Sequence, residues 1–202
     1  MKLTWLGHSC YALEQDGYRI VVDPYADTEG YADLRTSANG VYCSHHHFDH
    51  DAVGSVELLS ADVENPFTVR TVASFHDEEQ GALRGENIIH IFTAGGVSVA
   101  HLGDLGHQLS AEQLSAIGKV DGVLVPVGGV FTVDAAGAKQ VCDAIDPKWI
   151  IPMHYYHPPY DFAKIATVDD FLALCDNVQH LDGAELTVDA DTKGVLVLKF
   201  NG

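Results

Sequence analysis

The chain has 202 residues, with 29 acidic against 11 basic side chains and a formal net charge of −18. This charge repels a polyphosphate backbone, so we expect no nucleic-acid partner. No stretch approaches the roughly 20 apolar residues of a membrane-spanning helix, and the start, Met1–His8, is too short and too polar for a secretory signal. We therefore expect one soluble, cytoplasmic domain over residues 1–202, and the oligomeric state stays open.

The cysteines are scattered along the chain, without a C-x-x-C pair, at Cys10, Cys43, Cys142 and Cys175. This spacing argues against a disulfide scaffold and against a zinc ribbon. Small buried thiols in a reducing compartment are the expected state.

Apolar alternation and turn residues predict a meander at the beginning of the chain and strands that alternate with helices later. Gln15–Gly17 and Ala94–Gly96 are predicted tight turns. The expected strands are Lys2–Leu6, Cys10–Glu14, Tyr18–Val22, Gly40–Cys43, Thr68–Phe75, Ile88–Thr93, Val97–Leu102, Gly122–Val127, Trp149–Pro152, Glu185–Val188 and Val195–Phe200. The expected helices are Ser110–Ile117, Asp134–Ile145 and Val168–Cys175. This order predicts an α/β protein with two sheets and helices on their outer faces.

The segment Ser44–Asp51, Ser-His-His-His-Phe-Asp-His-Asp, has the composition of a metal site. Side chains alternate along an extended chain, so His45 and His47 face the same point. If the chain turns at Phe48, Asp49 and His50 face a second point nearby. Imidazole and carboxylate donors without thiolate suit zinc or another divalent first-row metal in an open catalytic site. The alternative is a histidine-rich surface loop that binds metal only adventitiously.

Further donors stand at the ends of predicted strands, where the backbone is rigid. His76 follows Thr68–Phe75, Asp104 follows Val97–Leu102, and His154 comes directly after Ile150–Met153. A single polar residue in such a place is more often a cap or turn former. Their joint appearance with the histidine segment favours a metal site.

With these motifs the sequence resembles the metallo-β-lactamase superfamily, and within it the compact branch that includes the ascorbate-6-phosphate lactonases. The resemblance rests on Gly7-His8-Ser9, the H-x-H-x-D-H segment, the string His101–His107 and Pro152–Tyr155. It implies a four-layer αββα sandwich with a metal cleft along one edge of the sheets.

The resemblance also implies a ligand set for two divalent ions. The first ion would be held by His45, His47 and His76, the second by Asp49, His50 and His154, and Asp104 would bridge both. His90 and His101 compete with His76, although they alternate within apolar strands. Diiron relatives carry a glutamate at the position of His47, so the resemblance favours hydrolytic zinc chemistry, with manganese or iron as alternatives.

The leading hypothesis is a metal-dependent hydrolase in which a hydroxide between two divalent ions attacks a small, in some cases phosphorylated, lactone or ester. Asp49 or Asp104 would accept a proton as well as bind metal. The candidate substrate contacts are His8, His107 and His157, which lie beside the expected ligands in sequence. The alternatives are a phosphodiesterase with the same site and a non-catalytic metal-binding protein.

Overall fold

The structure is a computed structural model, and it describes residues 1–28, 30–60, 62–158 and 165–200. Its described part contains two large β-sheets, a small two-stranded sheet and three α-helices. The mixed α/β class predicted from the sequence is confirmed. Each of the predicted strands forms, with ends that differ by a few residues from those expected.

The first sheet has five strands in the order β13-β1-β2-β3-β5. Neighbouring strands are antiparallel except for β3 and β5, which run parallel. The predicted Gln15–Gly17 turn joins β2 to β3. The strand bounds are β1 Lys2–Gly7, β2 Cys10–Gln15, β3 Tyr18–Val22, β5 Gly40–Tyr42 and β13 Glu185–Thr187.

The second sheet has seven strands in the order β12-β14-β11-β10-β9-β8-β7. Strands β7, β8 and β9 form an antiparallel meander, and the remaining neighbours pair in parallel. The bounds are β7 Thr68–Phe75, β8 Glu86–Ala94, β9 Val97–His101, β10 Gly122–Pro126, β11 Trp149–Met153, β12 Val178–His180 and β14 Gly194–Val197.

The helices lie beside the seven-stranded sheet and begin at the residues that the sequence indicated. Helix α1 spans Ala111–Ile117, with Ser110 and Gln113 forming a capping box. Helix α2 spans Ala135–Ile145 and is capped by Asp134, whose side chain accepts from the Gly137 N–H. Helix α3, Asp169–Leu172, is shorter than predicted and has no side-chain cap. Within the described residues, every helix falls short of the length and apolarity that crossing a membrane requires.

The main core lies between the two large sheets, because both contribute side chains to one apolar cluster. Alternation along β2 and β3 sends Tyr11, Leu13 and Ile20 into this core. The same alternation sends Ala12 and Val21 to the opposite face of the five-stranded sheet. Deeply buried members of the main core include Trp149, Tyr11, Phe92 and Phe171.

The outer face of the five-stranded sheet is covered, in the described residues, by a loop and a small sheet. Strands β4, Thr36–Ala38, and β6, Val56–Leu58, pair in parallel there. Tyr25 and Leu34 of the preceding loop pack in the same apolar cluster. The expected outer layer is therefore present on this side as loop and short strands, while α1–α3 supply it on the other.

The loops that follow β1, β3, β5, β7, β9 and β11 meet at one edge of the two sheets. They contain His8, Asp23, the segment 44–51, His76, Asp104 and His154. Residues that are distant in sequence therefore come together at positions fixed by rigid strands.

Candidate metal centre

Asp104 lies at the centre of this cluster, because three imidazoles approach one of its carboxylate oxygens. Oδ2 lies 3.3 Å from Nε2 of His50, 3.3 Å from Nε2 of His76 and 3.2 Å from Nε2 of His154. The backbone N–H of Asp104 donates to Oδ1 of Asn87 at 3.0 Å, which fixes the residue just after β9. Asp104 is almost fully buried, so its charge is shielded from bulk water.

His45, His47 and His76 form a second group beside Asp104. One ligand atom from each lies within 4.8 Å of the others. Nδ1 of His76 lies 3.0 Å from the carbonyl oxygen of Phe131, to which it donates when protonated. That hydrogen bond fixes the ring and leaves Nε2 facing the group. The three imidazoles are those that the family resemblance assigns to a first ion.

Asp23 holds the histidine segment in place from the buried side. Its Oδ1 accepts from the Ser44 N–H at 2.7 Å, and its Oδ2 accepts from Ser44 Oγ at 2.6 Å. Oδ2 also lies 2.9 Å from Nδ1 of His50. A proton donated from Nδ1 leaves the Nε2 lone pair of His50 facing Asp104, which is the arrangement that a metal-binding imidazole needs.

Asp49 is the more accessible of the two candidate catalytic carboxylates. Its side chain is 22% exposed, against 3% for that of Asp104. Oδ2 of Asp49 lies 3.4 Å from Nε2 of His8 and 3.9 Å from Nε2 of His50. His8 is buried and also belongs to a group of possible ligands with His50 and His154.

The backbone of this edge is strained at three positions that direct side chains into the cluster. His8, Asp23 and His154 have φ values of +50°, +51° and +52°. The left-handed region costs a residue other than glycine about 1–3 kcal/mol, and such strain concentrates at functional sites. The fold tolerates this cost because strands β1, β3 and β11 hold the flanking residues.

The ionisation of the cluster follows from burial and mutual charge. Burial opposes the charge on His50 and His76, but Asp104 outweighs it and raises the pKa of both imidazoles. Burial also opposes ionisation of Asp104, yet the surrounding imidazoles hold its pKa well below the usual range. At His45, burial dominates and lowers the pKa to about 3. The metal-free cluster thus combines an ionised carboxylate with neutral and protonated imidazoles.

The cluster fits divalent metal by its orphaned atoms as well as by its donor types. Nε2 of His45 and Oδ1 of Asp104 are buried and have no hydrogen-bond partner within the described ranges. Each such buried polar atom costs about 1–3 kcal/mol unless something binds it. Nitrogen and carboxylate donors converging without thiolate are suited to zinc, manganese or iron.

A cleft of about 710 Å³ opens onto this cluster. Its walls combine candidate ligands with two aromatic residues, Phe48 and Phe131, and with Arg84. The described lining residues are Asp27, Thr28, His46, His47, Phe48, Asp49, His76, Arg84, Asp104, Phe131 and His154. A small molecule in the cleft would therefore contact the candidate ligands directly.

The three candidate substrate contacts have different surroundings. His8 lies buried behind Asp49, so it contacts a carboxylate of the site rather than lining the cleft. His107 accepts a hydrogen bond from the Phe75 N–H at Nε2 and is not among the described lining residues. His157 packs in an aromatic cluster with Trp5 and Tyr31, also outside that set.

His90 and His101, the competitors of His76, lie side by side within the β8–β9 pair. Nε2 of His101 bonds the carbonyl oxygen of Ser9, and its Nδ1 accepts from the Gly103 N–H. Both are buried, and neither belongs to the groups of possible ligands in the described residues. His76 is therefore the histidine that the fold brings to the cluster.

Sequence reasoning missed three supporting residues, Asp23, Ser44 and Asn87. Asp23 follows the predicted strand Tyr18–Val22, so the strand-end rule applied to His76 would have found it. Asn87 accepts from Asp104 and also donates to Ser74 Oγ and to the Leu102 carbonyl. Its position inside β8 gives no sequence signal for this function.

Comparisons with known proteins agree with the fold. The model of the beta-lactamase superfamily domain matches residues 2–154. A UPF0173 metal-dependent hydrolase of Carboxydothermus hydrogenoformans is 28% identical over 206 residues, which cover 84% of this chain and 91% of that protein. The UPF0173 protein of Pyrococcus furiosus is 30% identical over 181 residues, covering 77% of this chain and 83% of that protein.

A crystal structure from Thermotoga maritima is also similar. It is described as a proposed Zn-dependent hydrolase of the metallo-beta-lactamase superfamily, with a TM-score of 0.78 and 34% identity, and the match covers 98% of this chain and 97% of that one. The superfamily and the fold expected from the sequence are confirmed, whereas the lactonase-like branch stays a prediction. The chain belongs to the beta-lactamase superfamily and, within it, to the UPF0173 metal-dependent hydrolases.

Proposed function

We propose that this protein hydrolyses a small lactone or ester, including phosphorylated ones, with two divalent ions bound in the cluster around Asp104. The observation that supports this most strongly is the convergence of three imidazole nitrogens on one buried carboxylate oxygen at the floor of an open cleft. A purely structural metal site would be closed, whereas here the candidate ligands line accessible space.

In this proposal His45, His47 and His76 hold the first ion, and Asp49, His50 and His154 hold the second. Asp104 would be shared between the two groups, because it lies against members of each. When bound, the ions supply an activated water nucleophile and a Lewis acid for a carbonyl or phosphoryl oxygen. Zinc is the expected metal, and manganese and iron suit the same donors.

We expect a carboxylate of the chain to accept the proton that the water nucleophile loses. Burial opposes ionisation of Asp49, but the hydrogen bond to His8 and the charge of His50 lower its pKa, so it remains ionised near neutral pH. Asp49 lines the cleft and so can take up a proton at Oδ2. His8 is kept neutral by burial, which lowers its pKa to about 4, and it orients Asp49 from behind.

The setting of this activity is also proposed. Strands of both large sheets share one core, which supports a single domain over residues 1–202. The four cysteines are free thiols, which supports a reducing, cytoplasmic location. A cleft of about 710 Å³ supports a small-molecule substrate.

The test is a panel of chromogenic carboxyl esters, lactones and phosphodiesters assayed with metal-free, zinc-loaded and manganese-loaded protein. We expect metal-dependent turnover of esters or lactones, with a large loss for Asp49→Asn. Asp121→Asn is the matched control, because it changes an acid that pairs with Lys148 away from the cleft. Turnover of phosphodiesters alone would replace this proposal by a phosphodiesterase. Full metal occupancy without turnover of any class would favour a metal-binding protein.

A further inference from the structure

Arg84 is the one lysine or arginine among the described residues that line the cleft. Three carboxylates, those of Asp27, Asp49 and Asp104, line the same space. In a chain of net charge −18, Arg84 places a positive charge in the wall of a cleft that is otherwise lined, in the described residues, by acidic, histidine, aromatic and threonine side chains. Phe48 and Phe131 give the cleft two aromatic surfaces besides this cation.

The loop 76–85 holds Arg84 through a buried acid at its base. The carboxylate of Asp77 accepts four backbone hydrogen bonds, from the N–H groups of Glu79, Gly81, Leu83 and Arg84, at 2.7–3.0 Å. These four hydrogen bonds hold the backbone of the loop in place. The same loop begins with His76, so one element positions a candidate metal ligand and the cation of the wall.

The side chain of Arg84 is held against the neighbouring loop. Nη2 donates to the carbonyl oxygen of Val130 at 3.0 Å, and the guanidinium lies 5.6 Å from the ring centroid of Phe131. The carbonyl of Phe131 accepts from Nδ1 of His76. Arg84 is therefore linked to His76 in two ways. One link is the backbone of the loop 76–85, and the other is Phe131, which lies against the guanidinium and accepts the hydrogen bond from His76.

The backbone of Val130 is strained at this contact. Its φ is +64°, a left-handed conformation that is an outlier for a β-branched residue, and its side chain is 54% exposed. Strain in an exposed loop persists where the surroundings over-determine it, most often at ligand-binding sites. Here the strained residue presents the carbonyl that receives Arg84.

We propose that Arg84 determines substrate specificity by binding an anionic group, a carboxylate or a phosphate, on the substrate. The guanidinium has five N–H donors, and one of them is engaged in the described contacts. The remaining donors suit the paired oxygens of either anion. The apolar part of the substrate packs between Phe48 and Phe131. This inference rests on the proposed function, since it names the substrate class of that site.

The test uses ligands anchored at the metal site by a hydroxamate, with tails of equal length that end in a carboxylate, a phosphate or a neutral carboxamide. Calorimetry on zinc-loaded protein gives their affinities without requiring turnover. We expect at least one anionic tail to bind about tenfold or more tightly than the carboxamide. The Arg84→Gln variant should lose this preference, and Arg84→Lys should keep part of it. A purely structural contribution of Arg84 would weaken all three ligands equally.

The matched control is Arg70→Gln. Arg70 also donates to backbone carbonyls, those of Ala116 and Ile117, but it is absent from the described cleft lining. Its loss removes the same charge and should leave the preference intact. A preference for anionic tails that survives Arg84→Gln, or no preference in the wild type, would overturn the assignment. The carboxylate and phosphate arms show which anion is recognised.

A second measurement does not depend on bound metal. Titration of metal-free protein with phenyl phosphate and with benzoate should shift the side-chain NMR resonances of Arg84 and leave those of Arg70 in place. Unmoved Arg84 resonances would also overturn the assignment. A protein that shows anion preference without hydrolysis contradicts the proposed function alone, whereas hydrolysis without anion preference contradicts the assignment of Arg84 alone.

Discussion

Replacing Asp104 by Asn removes the charge around which the candidate metal centre is organised while keeping the size of the side chain. Nε2 atoms of His50, His76 and His154 lie 3.2–3.3 Å from its Oδ2. Between unit charges at about 3.3 Å, an effective dielectric constant of about 20 gives an attraction of about 5 kcal/mol.

In metal-free Asp104→Asn protein we therefore expect the pKa values of His50 and His76 to fall. The sign follows from the wild type, where Asp104 raises both pKa values. Histidine side-chain NMR titrations measure this change without any metal. Asp23 remains 2.9 Å from Nδ1 of His50 and continues to favour the protonated form of that imidazole.

In metal-loaded protein the same variant should lose at least about half of its zinc, measured by elemental analysis after dialysis, because both ions share this carboxylate in the proposed arrangement. Asp121→Asn is the control, since it changes an acid in an ion pair with Lys148 outside the cluster. Unchanged zinc content together with unchanged histidine titrations would refute the central position given to Asp104.

Three further predictions concern the surroundings of the site. Asp23→Asn should raise the zinc dissociation constant about 10–100-fold in a chelator competition, because it weakens the hydrogen bonds that orient the histidine segment. Gly106→Ala should lower zinc content, since its Cβ would lie 2.3 Å from the carbonyl carbon of His76; Gly54→Ala, which meets no atom within 4 Å, should leave zinc content unchanged. Burial lowers the pKa of His90 to about 4. In the unfolded chain the His90 imidazole has its ordinary pKa of 6.5, so as the pH falls it is protonated before the folded protein is. The stability that neutral His90 provides is therefore present above about pH 6.5 and is lost as pH falls towards 4. Urea unfolding of metal-free protein should show wild type losing about 2 kcal/mol between pH 7 and pH 5 that His90→Gln does not lose; parallel losses in both proteins would contradict this.

The large strands were predictable because their alternation is long enough to detect. Thr68–Phe75 and Tyr18–Val22 have the predicted bounds. The three strands that were not predicted, β4, β6 and β12, have three residues each, which is too short for a period of two to stand out. Their formation depends on tertiary pairing, for example the parallel β4–β6 ladder over the second apolar cluster.

The candidate ligands were predictable because their residue types are costly to bury without a partner. Imidazoles and carboxylates at strand ends predict a metal site when several occur together, as at His76, Asp104 and His154. The convergence of His50, His76 and His154 on Oδ2 of Asp104 depends on strand order in the seven-stranded sheet and on its packing against the five-stranded sheet, which the sequence did not specify. The cleft wall was less visible, because Arg84 lies in a polar turn where an arginine is usually only solvated.

The loop 76–85 carries a candidate metal ligand, His76, at one end and a residue of the cleft wall, Arg84, near the other. Asp77 holds its backbone through four hydrogen bonds, and Gly106 leaves room for that backbone because any Cβ there would clash with it. The ends of the loop are thereby fixed, so His76 stays at the metal cluster and Arg84 stays on the wall. Leu83, next to Arg84 in this loop, has a side chain that is 70% exposed. If Arg84 binds the anionic group of the substrate as proposed, a change at position 84 should alter which substrates are selected while His76 keeps its place at the candidate metal centre.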